Sequence, residues 1–265
     1  MNAGFEAPGP IALSGDDVAL FASDMHLGDH DPRTARAFLA ALEAAWPQAS
    51  HVFLLGDLFE AWVGDDQPDA VAADAIGAFA RISGAGRKLF VMRGNRDFLL
   101  GRLPPAAGQA PDFVERSGAT MLDDPCTIEL FGQAVVLAHG DALCTDDRDY
   151  QNIRALVRAA PWQDQFLVRP LAERLALARQ LREQSEQSKA SRYEIGDVAD
   201  AAVEAALRAA GARLMIHGHT HRPACHEWRL DDGPARRWVL SDWDASSGRG
   251  GFLRVDRNGF VRLPA

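Results

Sequence analysis

The chain has 265 residues, of which 47% are hydrophobic and 25% are charged, and its formal net charge is −9 at pH 7. No apolar run reaches the roughly 20 residues that a membrane-spanning helix needs. An acidic chain also lacks the clustered positive charge that nucleic acids select, so we expect no nucleic-acid partner and expect anionic ligands to be held by metal ions or local arginines.

Buried strands alternate with helices in the first hundred residues. Short apolar runs predict strands at 18–22, 51–55 and 88–92. Alanine-rich segments with apolar residues at helical spacing predict helices at 33–46 and 69–83. This order is that of two consecutive β–α–β units, which indicates an α/β fold.

Further strands are predicted in the second half of the chain. Val114 is expected to lie in a strand, and Gly132-Gln133 indicates the turn of a hairpin between strands at 128–131 and 134–138. The remaining strands are predicted at 214–216, 238–240, 251–255 and 260–263. Strands therefore occupy both ends of the sequence.

The stretch from 146 to 210 differs from its surroundings. It is rich in arginine and glutamine, favours helix and shows no strand pattern. We predict that most of it, about 146–197, is a helical cap inserted into a single domain of residues 1–265.

An apolar stripe runs along this predicted cap, with three- and four-residue spacing between Trp162, Phe166, Leu167, Leu171 and Leu175. This spacing predicts one amphipathic helix, and such a stripe usually packs against the protein core. The alternative is that part of it lines a chamber for acyl chains and part rests on a membrane surface, with arginines at the headgroups.

Five short segments, each following an apolar run, carry residues that bind metals: Asp24-Met25-His26, Gly56-Asp57, Gly94-Asn95-Arg96-Asp97, His139-Gly140-Asp141 and His217-Gly218-His219-Thr220-His221. Two divalent cations about 3.5–4 Å apart need carboxylate, imidazole and amide donors that converge from several strand ends. Taken singly, each residue is more often a cap or a buried polar group, but the set together predicts a dinuclear site.

The ligands divide into two groups. The period of an extended chain would direct Asp24 and His26 to the same side, so that both bind one cation together with Asp57 and His221. Asp57 would also contact a second cation, whose other ligands are Asn95, His139 and His219. Oxygen and imidazole donors without thiolate favour manganese, although iron and zinc accept the same ligands.

Arg96 directly follows the predicted ligand Asn95. A guanidinium offers a forked pair of donors to a phosphate, which makes Arg96 a candidate for substrate binding and charge stabilisation. The alternative is a structural salt bridge with a neighbouring aspartate.

The ordered motifs Asp-x-His, Gly-Asp, Gly-Asn and Gly-His-x-His resemble those of the calcineurin-like metallophosphoesterase family. The resemblance implies a four-layer αββα sandwich of two mixed sheets with a helical insertion. Where the wider family has a histidine after the asparagine, this chain has Arg96. An arginine does not give up its proton at neutral pH, so its role would be charge stabilisation rather than general acid catalysis.

Four further segments, 58–66, 96–101, 143–147 and 219–224, resemble one subfamily, the UDP-2,3-diacylglucosamine pyrophosphohydrolases of lipid A synthesis. The similarity runs from about residue 20 to residue 226. It implies that two manganese ions activate a water for attack on the α-phosphate of UDP-2,3-diacylglucosamine. The products would be UMP and 2,3-diacylglucosamine 1-phosphate.

The resemblance also implies roles for individual residues. The metal ligands would be Asp24, His26, Asp57, Asn95, His139, His219 and His221, and the catalytic residues Asp57, Asn95, Arg96 and His139. The substrate contacts would be Asn95, Arg96, Asp147, Ser185, Lys189, Arg192 and His219. Around Lys189 and Arg192 the chain departs from the subfamily pattern in length and residue type.

Cellular location is indicated by weaker signals. Residues 1–10 lack a basic start followed by an apolar stretch, and Cys126, Cys144 and Cys225 have neither disulfide nor metal spacing. We therefore expect a cytoplasmic protein, and contact between the cap's apolar stripe and the membrane surface would make it peripheral on the inner membrane.

Two other functions are compatible with the motifs. One is a soluble pyrophosphatase or phosphodiesterase acting on nucleotides, and the other is a metal-free scaffold that binds a partner. The glycine- and serine-rich segment 241–251 has no function that the sequence indicates.

Overall fold

The computed structural model describes residues 11–180, 197–231 and 233–265. Their strands form two mixed β-sheets of six strands each. Strand neighbours in the first sheet are β12 (Gly259–Pro264), β11 (Gly251–Asp256), β2 (Ala19–Ala22), β3 (His51–Leu55), β4 (Lys88–Met92) and β5 (Thr120–Leu122). Strand neighbours in the second are β1 (Ala12–Leu13), β6 (Cys126–Leu130), β7 (Gln133–Ala138), β8 (Leu214–His217), β10 (Gly233–Val239) and β9 (Ala224–Leu230).

The helices are α1 (Pro32–Ala45), α2 (Ala70–Gly84), α3 (Phe113–Ser117), α4 (Arg148–Arg158), α5 (Ala160–Leu167), α6 (171–180) and α7 (Asp200–Ala209). Aspartates cap several of them, since Asp31 accepts hydrogen bonds at the start of α1 and Asp69 at the start of α2. Within the described ranges, no helix is both long and apolar enough to span a bilayer.

Four layers result from the way both faces of each sheet are buried. Between the sheets, Phe21, Phe53 and Phe90 stack with centroid distances of 4.7 and 4.8 Å. On the outer face of the first sheet, its apolar side chains pack with those of α1 and α2, and on the outer face of the second they pack with Val203 and Leu207 of α7. The predicted αββα sandwich of two mixed sheets is confirmed.

The strand directions bring the ligand segments to one edge. β2, β3 and β4 are parallel to one another, and β7 is parallel to β8. The carboxyl ends of parallel strands meet at the same edge of a sheet, and each of these five strands is followed by a predicted metal ligand.

Two local predictions are wrong. Val114 lies in α3 rather than in a strand, because Asp112 and Glu115 form a capping box and Gly118, at φ 68°, ends the helix. The apolar stripe of the cap is not one helix, since α5 ends at Leu167 and α6 begins directly after Pro170. Proline lacks the backbone N–H that a continuous helix would need.

Candidate metal centre

Asp24, His26 and His221 converge at the ends of β2 and β8. Their donor atoms all lie within 4.8 Å of one another. The Asp24 Oδ1 atom is 4.0 Å from His26 Nε2 and 3.4 Å from His221 Nε2, and the two Nε2 atoms are 3.3 Å apart. This is the group that the sequence predicts around the first cation.

Asp57, His139 and His219 form a second group beside the first. The His139 Nε2 atom is 3.6 Å from Asp57 Oδ1 and 3.0 Å from Asn95 Oδ1. The other carboxylate oxygen of Asp57 lies 3.9 Å from His26 Nε2. Asp57 therefore faces both groups, in the position that a bridging ligand requires.

Five of these ligand candidates have a left-handed backbone, namely Asp24 (φ 56°), His26 (φ 49°), Asp57 (φ 52°), His219 (φ 68°) and His221 (φ 53°). The sequence-based reason for pairing Asp24 with His26, an extended chain with a period of two, is thus wrong. Their side chains meet because the backbone turns sharply after each strand. Such conformations cost about 1–3 kcal/mol each and are concentrated at functional sites.

Two glycines leave the space that this convergence needs. A Cβ atom at Gly94 would overlap Asp57, and one at Gly218 would overlap Ser23 and Asp24. The neighbouring Asp97 is fully buried and accepts hydrogen bonds of 2.7 Å from the backbone N–H groups of Leu58 and Gly94. Burial, aided by the charge of Asp57, raises the pKa of Asp97 to about 6.

The residues present fit a pair of divalent cations. Asp24 Oδ1 is buried without a hydrogen-bond partner, and the Nε2 atoms of His26 and His221 face each other across a short gap. Burial alone would lower the pKa of His139, but the charges of Asp57 and Asp24 raise it to about 9. The centre is therefore strongly electronegative, and its donors are the carboxylate, amide and imidazole groups that such cations accept.

In three of the histidines, the Nδ1 atom, which lies on the side of the ring away from the centre, faces a carboxylate or a backbone carbonyl. His139 Nδ1 lies 2.9 Å from the backbone oxygen of Leu55, and His26 Nδ1 lies 2.8 Å from Glu60 Oε2. His221 Nδ1 lies 3.5 Å from Asp242 Oδ2. Sequence reasoning assigned no role to Glu60 or Asp242.

Arg96 lies at the rim of the centre with about a fifth of its side chain exposed. Its backbone N–H donates to Asp57 Oδ1 at 2.8 Å, and its Nη1 atom lies 3.6 Å from Glu60 Oε1. The ion-pair partner is thus a glutamate rather than a neighbouring aspartate. A guanidinium in this position is open to a bound anion.

Helix α4 is anchored to the metal centre through Asp141. The Tyr150 hydroxyl and the Arg154 Nε atom donate to Asp141 Oδ2 at 2.7 and 2.9 Å. Arg154 also donates to Asp124, whose other oxygen accepts from the backbone N–H of His139. Asp124, Tyr150 and Arg154 escaped the sequence analysis, although the four-residue spacing of Tyr150, Arg154 and Arg158 was a usable signal for one helix face.

The apolar stripe of the cap packs inward. Phe166 and Leu167 are buried in the same cluster as the core of the first sheet, and Trp162 stacks on Phe166 at 5.0 Å. The large apolar side chains that this part of the structure exposes are Ile153, Leu156 and Val168. Most side chains of the stripe therefore pack against the protein core, which was the first of the two interpretations.

The expected substrate contacts are only partly visible. Asp147 is the N-cap of α4, where its carboxylate accepts from the backbone N–H of Tyr150. Asn95, Arg96 and His219 lie at the centre itself. Ser185, Lys189 and Arg192 lie outside the described residues.

Comparison with known proteins places this geometry in context. The family model of the calcineurin-like phosphoesterases matches residues 18–223. A protein of Chromohalobacter salexigens named UDP-2,3-diacylglucosamine hydrolase is 46% identical over 247 residues, covering 93% of this chain and 96% of that protein. Proteins of the same name from Chromobacterium violaceum and Bordetella pertussis are 48% and 46% identical, covering 92% and 90% of this chain and 97% and 91% of theirs.

Proposed function

This chain belongs to the calcineurin-like phosphoesterase family, and from that membership we propose that it hydrolyses the pyrophosphate bond of UDP-2,3-diacylglucosamine in lipid A synthesis. The products are UMP and 2,3-diacylglucosamine 1-phosphate. One observation carries the proposal: the similarity to UDP-2,3-diacylglucosamine hydrolases extends over more than nine-tenths of both sequences, far beyond the ligand motifs.

The metal centre that we propose has two positions. Asp24, His26, Asp57 and His221 would hold one cation, and Asp57, Asn95, His139 and His219 would hold the other. Two such cations supply a water that is activated near neutral pH and neutralise charge on the phosphoryl oxygens. We propose manganese, because the donors are oxygen and imidazole without thiolate, a set that iron and zinc also accept.

The remaining chemistry falls to side chains of the protein. The guanidinium of Arg96 would donate to the phosphate oxygens as their charge shifts, which is the stabilisation that a fixed cationic donor provides. Asn95 and His219 lie close enough to the centre to contact the same phosphate. Asp147, Ser185, Lys189 and Arg192 are proposed contacts for the rest of the substrate.

We further propose that the protein is cytoplasmic and attaches peripherally to the inner membrane. Ile153, Leu156 and Val168 are 51%, 56% and 68% exposed, and the exposed arginines Arg148 and Arg169 precede and follow them along the chain. Apolar side chains bordered by cations suit a surface of anionic headgroups and acyl chains. The substrate carries two acyl chains and resides at such a surface.

The proposal is tested by UMP release from UDP-2,3-diacylglucosamine, with manganese and with a chelator. UDP-N-acetylglucosamine and ADP-ribose serve as soluble comparison substrates. Metal-dependent turnover confined to the diacyl substrate is expected. Equal or faster turnover of the soluble nucleotides would instead support a nucleotide pyrophosphatase, a function that the names of the relatives do not favour.

A further inference from the structure

Two carboxylates outside the ligand set face the histidines of the first cation position. Glu60 Oε2 lies 2.8 Å from His26 Nδ1, and Asp242 Oδ2 lies 3.5 Å from His221 Nδ1. The Nε2 atoms of the same two rings approach each other to 3.3 Å. Each imidazole is therefore held between a carboxylate on its outer side and the cation position on its inner side.

Each carboxylate is itself paired with an arginine. Glu60 Oε1 lies 3.6 Å from Arg96 Nη1, and Asp242 Oδ2 lies 3.0 Å from Arg249 Nη2. The side chains of Glu60 and Asp242 are only 12% and 5% exposed. Their orientation is thus set by the protein rather than by solvent.

Asp242 comes from the segment 241–251, to which the sequence assigned no function. This segment is hydrogen-bonded to the residues that follow β2, because the backbone N–H of Trp243 donates to the backbone oxygen of Asp24 at 3.1 Å. The Ala245 N–H also donates to the Thr34 hydroxyl at 2.9 Å. The segment therefore forms a wall beside the first cation position, and Asp242 is the residue that reaches a ligand from it.

We propose that Glu60 and Asp242 are positioning residues that orient His26 and His221 toward the first cation. A neutral imidazole that binds a metal through Nε2 carries its proton on Nδ1, and a carboxylate acceptor there fixes both the tautomer and the ring angle. The inference rests on the proposed function, because it takes His26 and His221 as metal ligands. His139 differs, since a backbone carbonyl holds its Nδ1 atom.

Asp242→Asn tests the inference by metal binding rather than by turnover. Titration of the metal-free full-length protein with manganese, followed by calorimetry, is expected to show roughly 10–100-fold weaker binding at one of two positions. Asp244→Asn is the matched control, because Asp244 lies in the same segment and contacts Arg249 but not His221. Unchanged binding in Asp242→Asn would overturn the role of Asp242.

Glu60→Gln examines the other ring in the same titration. Glu43→Gln is its control, since Glu43 also pairs with an arginine but lies at the surface. The expected result is again weaker binding at one position in Glu60→Gln and wild-type binding in Glu43→Gln. Native affinity at both positions in Glu60→Gln would overturn its role.

A measurement on the unaltered protein keeps the inference testable if the variants do not fold. In ¹H NMR of the zinc-loaded protein, the Nδ1–H protons of His26 and His221 are expected to resonate further downfield than that of His139, because a charged carboxylate is a stronger acceptor than the backbone carbonyl that faces His139. Shifts no further downfield than that of His139 would contradict the inference. The two levels of proposal fail differently. If the wild-type protein takes up neither manganese, iron nor zinc, the proposed function and this inference are both removed. Two bound ions with unaffected variants remove this inference alone.

Discussion

Arg174 and Asp66 form a two-pronged ion pair that fastens the cap to the loop behind the metal centre. The Arg174 side chain is almost fully buried, and both of its Nη atoms donate to the Asp66 carboxylate, the Nη1 contact being 2.9 Å. Asp66 lies on the loop that leaves β3 after the proposed ligand Asp57. Helix α6 is thereby fixed relative to the metal centre.

Arg174→Met is expected to destabilise the protein by about 3 kcal/mol, because it leaves a partly buried carboxylate without its partner. Denaturant unfolding measures the change. Arg169→Met is the matched control, since Arg169 is half exposed and its pair with Glu173 spans 3.8 Å. A surface pair of this kind is worth less than about 1 kcal/mol, and an equal loss in both variants would contradict the role of Arg174.

Asp141→Asn is expected to loosen the other anchor of the cap. Asp141 is fully buried and accepts from Tyr150 and Arg154, so loss of its charge should cost about 3 kcal/mol. Turnover of the diacyl substrate should fall more than turnover of bis(p-nitrophenyl) phosphate, a small diester without acyl chains for the cap to bind. Asp123→Asn is the control, because Asp123 is exposed and adjacent in sequence to Asp124; it should change neither the stability nor the turnover of either substrate.

Removal of metal is expected to abolish UMP release and to lower the thermal stability. Occupation of one site at a hundred times its dissociation constant stabilises the folded state by about 2.7 kcal/mol. A chelated sample should therefore melt several degrees below a manganese-loaded one in calorimetry. Full turnover in chelator, after metal content has been shown to be negligible, would exclude the two-metal mechanism.

Arg96→Ala is expected to lower kcat/KM about 100-fold, as loss of one fixed donor to a developing charge does elsewhere. Metal content, measured on the same sample, should stay at wild-type level. Arg96→Lys should recover only part of the loss, because an ammonium group cannot form the forked contact. Native kcat/KM in Arg96→Ala would leave Arg96 with only its structural ion pair to Glu60.

Ile153→Asp and Leu156→Asp are expected to weaken association with vesicles that contain anionic phospholipid. Both side chains lie exposed on α4, so the folded protein should tolerate the change. Co-sedimentation measures binding, and Val261→Asp is the control because Val261 is similarly exposed but lies on the edge strand β12. Equal binding by all three variants would argue against attachment through α4.

Much of the candidate centre was predictable from sequence because each proposed ligand is marked by a short local motif. Each follows a buried strand within a few residues, and the parallel strands bring these ends together, so short motifs such as Gly56-Asp57 and His219-Thr220-His221 identify them. The α/β class was predictable because strands such as β3 and β8 are short, fully buried runs, whereas the four-layer sandwich was implied by the family resemblance.

The supporting contacts were not predictable, because they join residues that are distant in the chain. Arg174 and Asp66 are separated by 108 positions, and Arg154 and Asp124 by 30. An aspartate such as Asp242 has no periodicity that would reveal a histidine neighbour. The strand prediction at Val114 was wrong for a different reason, because the capping box of α3 outweighed the strand preference of a β-branched residue.

The left-handed backbone at five proposed ligand positions lowers the stability of the folded protein in order to place donors that activity needs. Substitutions such as His26→Gly or Asp57→Gly would relieve the local torsional strain while removing a donor. A descendant that no longer binds metal would therefore be expected to acquire glycine at these positions and to melt at a higher temperature than the metal-free form of this chain. A relative that keeps Asp and His there retains residues that stability alone would not select.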